Sequence, residues 1–390
     1  MTRFELEDTT KSTSGPANMD STIEPPMADL SRIRVRGFKS LVDIELDIRN
    51  LNVLIGANGA GKSNFIGVFS FLNHLIESRL QYYVGQSGGP DAILTNGTKH
   101  TSELEIRLDF GPNGYKAAFS PSHSDELIFA DEECWYIGAR HSKPYDILLG
   151  SGHRETRLPQ EVQRHRKKGI ASHVQSSLLD WKVYHFHDTS ASAKVKGPSD
   201  INDNVLLRPD AGNLAAFLML LRDRYRSKYD QIVRTIQLVA PFFEDFSLRP
   251  DPRNESKTRL EWRAKNTDAY LNAHSLSDGS LRFICITTLL LQPKIPTVVL
   301  IDEPELGLHP YAITVLGSLL RSAAKRSQVI VSTQSVTLVN QFETDDIVVV
   351  DRNDKGSVFR RPTSAEAASW LDDYSLGELW EKNILGGRPR

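Results

Sequence analysis

Residues 56 to 63 read Gly-Ala-Asn-Gly-Ala-Gly-Lys-Ser, a complete G-x-x-x-x-G-K-S run. Such a run lets successive backbone N–H groups wrap a triphosphate, because Gly56, Gly59 and Gly61 carry no side chain to block the approach. Lys62 is spaced to reach the β- and γ-phosphates and Ser63 to ligate Mg²⁺, while a helix starting here points its positive end at the anion. Asn58, Ala60 and Asn64 complete the expected nucleotide contacts. A second chemical cluster, Asp302-Glu303, ends the apolar run Val298-Val-Leu-Ile301. A strand edge there would deliver Asp302 to the Mg²⁺ shell and Glu303 to an attacking water. Leu276-Ser-Asp-Gly-Ser280 is the third cluster, placed just before a helical pattern. Ser277, Ser280 and the N–H groups around Gly279 can donate to a phosphate at a helix N-terminus, although Ser-Asp-Gly is also an ordinary capping sequence.

These groups need a scaffold that holds them together. Leu51–Ile55 reads as a buried strand feeding the glycine loop. Asn64–Leu80 reads as a helix, with Phe65, Val68, Phe69, Leu72, Leu75 and Ile76 at helical spacing. Helices are expected over 279–291 and 310–324, and strands over Thr297–Ile301, Gln328–Val331 and Asp346–Val350. Strands alternating with helices predict a parallel sheet covered on both faces. Before it, Ile33, Val35 and Phe38 alternate with Arg32, Arg34 and Arg36. Further strands are expected at Leu41–Ile48, Glu103–Phe110 and Tyr115–Phe119, and a loop at Gly85–Gly97. The middle of the chain is less regular. It holds short strands at 126–130 and 135–137, one long helix over Asn213–Leu238, and a strand over Ser256–Arg263. The expected division is an acidic disordered tail (1–30), the first part of a head (31–120), an inserted lobe (121–270) and the second part of the head (271–390).

Bulk properties bound the class. The chain has 390 residues, 39% of them hydrophobic and 25% charged, as in ordinary globular proteins. The net charge of −2 hides a tail of −4, so the body carries about +2. No apolar run is long enough for a membrane span, and the first thirty residues lack a signal-like apolar core. Cys134 and Cys285 stand apart and read as reduced thiols, which with the missing signal predicts a cytoplasmic protein.

The glycine loop, Leu276–Ser280, Asp302-Glu303 and Glu305-Leu-Gly-Leu-His-Pro310 together resemble an ABC-type ATPase head of the SMC/RecF-like class. Bacterial RecF-type ATPases related to the ATPase half of overcoming-lysogenisation (OLD) nucleases are the most similar group, over about residues 31 to 385. That resemblance includes Tyr184-His-Phe-His-Asp-Thr-Ser190, Arg208–Leu214 and Leu376–Asn383. It implies an α/β P-loop NTPase fold: a mixed sheet flanked by helices, an N-terminal antiparallel β subdomain and an inserted α/β lobe. It also implies ATP and Mg²⁺ as ligands and a homodimer, or a higher oligomer, closed by ATP sandwiched between heads. Ser277 and Gly279 would touch the partner's γ-phosphate, Glu303 would be the general base, and Glu305–Pro310 would line the dimer seam. Val331-Ser-Thr-Gln-Ser335 matches the switch strand, with Gln334 lying 32 residues beyond Asp302. Many transporter-type heads carry histidine there. Glutamine can bond a phosphate or orient water but cannot relay a proton, which points to slow hydrolysis. The glutamine of the Q-loop has no match; Gln81 and Gln86 are near, and Asp91 aligns nearest.

Three further groups have competing readings. Arg154, Arg157, Arg164, Arg166, Lys167 and Lys168 form either a nucleic-acid contact or a solvated face. His185, His187 and Asp188 suit lobe packing better than a metal site, since no third ligand lies nearby. Asp345, Asp346 and Asp351 hint at a nuclease domain, but only about 40 residues follow, so the chain is expected not to be a nuclease itself. The leading expectation is a Mg²⁺-dependent ATPase that dimerises on ATP and regulates a DNA transaction in repair or phage defence. The alternative is a slowly hydrolysing, ATP-gated scaffold holding a separate nuclease effector. A transporter ATPase without its membrane subunit is disfavoured by the lobe and by Gln334.

Overall fold

In the computed structural model, residues 29–138, 144–165, 169–363 and 374–387 are described. Most of the acidic tail (1–28) and three of the basic residues, Arg166 to Lys168, lie outside them. Two sheets carry the architecture. The first is antiparallel, formed by β1 (Leu30–Phe38), β2 (Leu41–Asp47), β4 (Leu104–Phe110), β5 (Asn113–Pro121), β6 (Leu127–Tyr136) and β7 (Tyr145–Gly150), in the order β2-β1-β4-β5-β6-β7. The second contains β3 (Leu51–Ile55), β8 (Trp181–Tyr184), β15 (Val298–Asp302), β16 (Gln328–Thr333), β17 (Ile347–Asn353) and β18 (Gly356–Arg360). Its order is β18-β17-β3-β16-β15-β8, parallel except for the β17–β18 hairpin at one edge.

The parallel sheet divides the interior. On one face, Leu54, Leu300, Ile330 and Val348 join a core with the antiparallel sheet and α1 (Lys62–Ile76). Val53, Ile301, Val331 and Val349 alternate to the other face and form a second core. Helices α6 (Leu214–Arg224), α7 (Arg226–Val239), α8 (Asp278–Leu291) and α9 (Pro310–Ala323) cover that side. Strand periodicity of two therefore feeds two cores from one sheet.

The middle of the chain departs from the expected lobe. β6 and β7 continue the antiparallel sheet, and α4 (Leu158–Arg164) and α5 (Ile170–Asp180) pack into the first core. β8 then becomes an edge of the parallel sheet, and residues 184–276 pack against the second core. Among the described residues, 121–270 has no core of its own, because its apolar residues are divided between the two flanking ones. Two three-stranded sheets cap this region: β9 (Ser199–Asp200) with β11 (Pro250–Asp251) and β12 (Asn254–Thr258), and β10 (Phe243–Phe246) with β13 (Glu261–Ala264) and β14 (Tyr270–Asn272).

Local differences have local causes. α1 stops at Ile76 rather than Leu80, since Ser78 takes φ 55° and Arg79 N bonds His74 O at 2.8 Å. The loop expected at Gly85–Gly97 contains the end of α2 (Leu80–Ser87) and α3 (Pro90–Ile93). The long helix breaks at Tyr225, which is 48% exposed although its place four residues from both Leu221 and Tyr229 continues one helix face. The strand expected over Ser256–Arg263 is two strands in separate sheets. The remaining short helices, α10 (Val336–Val339) and α11 (Leu376–Glu381), pack together at the end of the second core.

Candidate active site

Steric demand explains the glycines first. A Cβ at Gly56 would overlap the Val350 carbonyl on β17, and one at Gly61 would overlap the Ser357 hydroxyl on β18. Gly59 has open space around it but takes φ 77°, a conformation that favours glycine. The loop is braced from outside: Ser357 Oγ donates to Ala60 O at 2.6 Å, and Arg352 Nη1 to Gly59 O at 3.2 Å. Ser40 lies 2.7 Å from Ser357, and Asn64 Nδ2 donates to Ser40 at 2.8 Å. Asn64 thus ties the first turn of α1 to the β1–β2 turn. Asn58 is exposed at the loop tip, and the Ser63 side chain faces solvent at the start of α1.

Lys62 is buried, 5% exposed, with Nζ donating to Gly56 O at 2.6 Å and Ala57 O at 3.1 Å. Burial lowers its pKa, and Glu303, Asp302 and Glu305 pull it back up. Those three carboxylates lie about 240 residues away in sequence, yet they are the charges that Lys62 feels. β16 separates β3 from β15, so the end of β16 stands between the glycine loop and the carboxylates. Ser332 on β16 pairs in register with Asp302, and its hydroxyl donates to Asp302 Oδ1. Glu303 follows at φ 42°, a strained conformation for a non-glycine residue, with its N–H bonded to Ser332 O at 2.9 Å. Gln334 Nε2 donates to Glu303 Oε1. Glu305 accepts at one oxygen from Thr333 Oγ1 at 2.5 Å and Gln334 N at 3.2 Å.

Leu276–Ser280 lies across the turn that follows the carboxylates. Ser277 caps α8, accepting from Ser280 N at 3.2 Å and donating to Ser280 Oγ at 2.9 Å. Gly279 packs on Gly307, where a Cβ would overlap the carbonyl oxygen. Among the described residues, no hydrogen bond or ion pair joins Ser277, Gly279 or Ser280 to the phosphate loop of the same chain. Arg282 on α8 is buried and reaches Phe186 O at 3.0 Å, His187 O at 3.3 Å and Leu306 O.

Asp91, which aligns nearest the Q-loop glutamine, lies in α3 and accepts from Thr98 N and Oγ1, each at 2.7 Å. His185 follows β8, whose Tyr184 pairs with Ile301, so it stands beside Asp302 at the sheet edge. Burial lowers its pKa against an opposing pull from Asp302. Periodicity could not find it, because only the β8–β15 pairing brings residues 185 and 302 side by side. Among the described residues, no group of three or more His, Cys, Asp or Glu is placed to hold a metal ion by itself. The basic segment is also accounted for in part: Arg154 pairs with Glu126, Arg157 with Leu149 O at 3.0 Å, and Arg164 with Glu161 at 3.3 Å. Asp345, Asp346 and Asp351 do not converge; Asp345 pairs with Arg49, Asp346 caps Glu343 N, and Asp351 accepts from Gly387 N. No helix among the described residues is long and apolar enough to cross a membrane.

Known proteins place this geometry. The chain is 24% identical over 349 residues to the OLD nuclease of Thermus scotoductus, covering 84% of this chain and 63% of that protein. It is 25% identical over 184 residues to the phosphate import ATP-binding protein PstB of Ehrlichia ruminantium, covering 45% of this chain and 60% of that one. The chain thus spans about 60% of the length of these curated relatives. Among solved structures it resembles an Smc head bound to the C-winged helix domain of ScpA (TM-score 0.58, 15% identity, 87% of this chain and 99% of that one). It also resembles an Smc head with an extended coiled coil bound to the C-terminal domain of ScpA, derived from Pyrococcus furiosus (TM-score 0.54, 15% identity, 89% and 99%). These likenesses bear out the expected fold, a P-loop ATPase head of SMC/RecF type related to OLD proteins. A family model matches residues 51–340, and the chain belongs to that family, described as "AAA domain, putative AbiEii toxin, Type IV TA system".

Proposed function

We propose that this chain binds ATP with Mg²⁺, hydrolyses it, and uses the bound state to join two heads that regulate a DNA transaction. The observation that carries the reading is the convergence of Lys62, Asp302, Glu303 and Gln334 at one sheet edge. The phosphate loop fits a triphosphate, since Gly56 and Gly61 are sterically required and Lys62 is buried beside open backbone. Ser63 and Asp302 fit a Mg²⁺ shell, with Ser332 fixing the Asp302 carboxylate and His185 at its flank. Bound Mg²⁺ would supply charge neutralisation at the β- and γ-phosphates. Glu303 would take the proton of the attacking water, and Gln334 would orient that water or the γ-phosphate. Ser277, Gly279 and Ser280 are exposed or half-buried at the start of α8 and bonded away from their own loop, which supports a role toward a second copy. A DNA transaction in repair or anti-phage defence is favoured by the likeness to the OLD nuclease.

The scaffold reading has its own support. Gln334 donates to one oxygen of Glu303, which lowers that oxygen's basicity and leaves the other to take the proton of water. An ATP-gated scaffold for a separate nuclease or other effector would tolerate a weaker base. Phosphate release and light scattering with ATP, with and without DNA, decide between them. Turnover together with ATP-dependent dimers supports the hydrolytic reading. Dimers without turnover support the scaffold, and absence of ATP binding refutes both.

A further inference from the structure

The reading above gives Glu305 no step in hydrolysis, and its setting is costly. The side chain lies in a residue 9% exposed; one oxygen accepts from Thr333 Oγ1 and Gln334 N, and the other is buried without a hydrogen-bond partner. A carboxylate kept in such a place costs stability, because its second oxygen has no donor to replace the water it loses. One donor, Thr333, is the last residue of β16, and the other, Gln334, follows it directly. The same Thr333 hydroxyl accepts from Ser335 N at 2.9 Å, which fixes the backbone on the far side of Gln334. Glu303 meanwhile accepts from the Gln334 side chain. Gln334 is thus gripped by its backbone through Glu305 and by its amide through Glu303, two residues on one turn.

We infer that Glu305 is a positioning residue: it locks the end of the switch strand so that Gln334 faces Glu303 and the γ-phosphate. This rests on the ATPase reading above and adds to it. The other end of the turn bears on α8, where Gly307 packs on Gly279 and Leu306 O accepts from Arg282. Displacing the α8 end would therefore move the grip on Gln334, which links the partner-facing segment to the chain's own hydrolytic residues. Glu305 touches neither nucleotide nor water in this scheme. Its effect runs through Thr333 and Gln334 alone.

The test uses the full chain with Glu305→Gln, Glu305→Ala, Thr333→Val and the Glu305→Ala/Thr333→Val double variant. Glutamine keeps an acceptor oxygen for both donors, so Glu305→Gln should stay within about threefold of wild-type kcat. Alanine should lower kcat about tenfold or more while the affinity for a fluorescent ATP analogue moves less than about threefold. Thr333→Val should cause part of the same loss, and the double variant should lose less than the product of the two single losses, its excess over Glu305→Ala being the Ser335 bond alone. Equal loss in Glu305→Gln and Glu305→Ala would overturn the inference, as would additive losses or a fall in ATP affinity matching that in kcat. If wild type has no turnover, the ATPase reading fails separately. Amide exchange at residues 333–336 then reads the grip directly: faster exchange in Glu305→Ala than in Glu305→Gln supports it, and unchanged exchange overturns it.

Discussion

Replacing Gly279 by alanine sets two effects of known size against each other. Gly279 is the second residue of α8, and alanine in a helix gains at most about 1 kcal/mol over glycine. Against this stands the Gly307 carbonyl. A carbon and a carbonyl oxygen in contact need about 3.3 Å, and a Cβ here would fall about 1 Å short, with the Gly307 carbonyl carbon itself at 3.2 Å. Both obstructing atoms are backbone, so no side-chain rotation relieves the overlap. Either α8 or the Glu305–Pro310 turn must move. Overpacking of this kind costs about 1–3 kcal/mol. Separating the turn from α8 also strains the Arg282 bond to Leu306 O, a charged hydrogen bond for which about 1.5–3 kcal/mol is typical. The losses exceed the gain, and a net destabilisation of about 2–4 kcal/mol is expected.

Urea denaturation followed by tryptophan fluorescence measures this, and the midpoint of Gly279→Ala should fall by about 1 M. Gly59→Ala is the comparison, since Gly59 has a positive φ but no atom within 4 Å of a Cβ. Its cost should be conformational only, about 1–2 kcal/mol. A Gly279→Ala protein as stable as wild type would refute the packing explanation. Its glycine would then serve only an approach from outside the chain, visible as lost ATP-dependent dimerisation at unchanged stability.

Lys62→Ala removes the buried ammonium and should weaken binding of a fluorescent ATP analogue by about 30-fold or more; a change under about threefold would take Lys62 out of the phosphate site. Glu303→Gln should keep ATP binding and lower phosphate release by about 100-fold or more, and near-normal release would remove Glu303 as the base. Burial raises the Glu305 carboxyl above its ordinary 4.5, so the folded state binds its proton more tightly than the unfolded chain. The associated stability is fully present below about pH 4.5 and is lost as pH rises through the raised folded value. Urea midpoints of wild type should therefore fall relative to Glu305→Gln from pH 4 to pH 7, and parallel curves would contradict the direction of the shift.

Contiguous chemistry was legible in sequence where it came with its own strand and helix. The glycine loop, Asp302-Glu303 and Leu276–Ser280 each sit next to an element whose apolar spacing announces it, and β3, α1, α8 and β15 lie within two residues of expectation apart from the early end of α1. Placement across the sheet was not legible. The spacing of Leu221, Tyr225 and Tyr229 is unbroken through the gap between α6 and α7, since period alone carries no information about a single non-helical backbone angle. The division of 121–270 between two cores was hidden for a related reason. β6 reads in the sequence as two short strands and β7 and β8 fall where no strand is expected, and only pairing partners distinguish a sheet extension from a new lobe.

The same reasoning explains why the site lies where it does. Along β15 and β16 the residues facing α1 are Val298, Leu300 and Ile330, buried and apolar, and Gln328, whose amide is satisfied by Leu30 N and O. At the next positions on that face the pattern turns polar in both strands, with Asp302 and Ser332 paired in register and bonded to each other. β8 follows suit, passing from Val183 to His185. A polar row at one level of three adjacent parallel strands cannot be satisfied by the core below it. It is stable only because the sheet ends there, facing the positive end of α1 and Lys62. Alternation thus supplies the core up to residue 301, and one further step supplies the chemistry. A single-residue slip of β15 against β16 would move Asp302 off Ser332 and set Ile301 or Glu303 opposite it, so the register that packs the two cores also assembles the site.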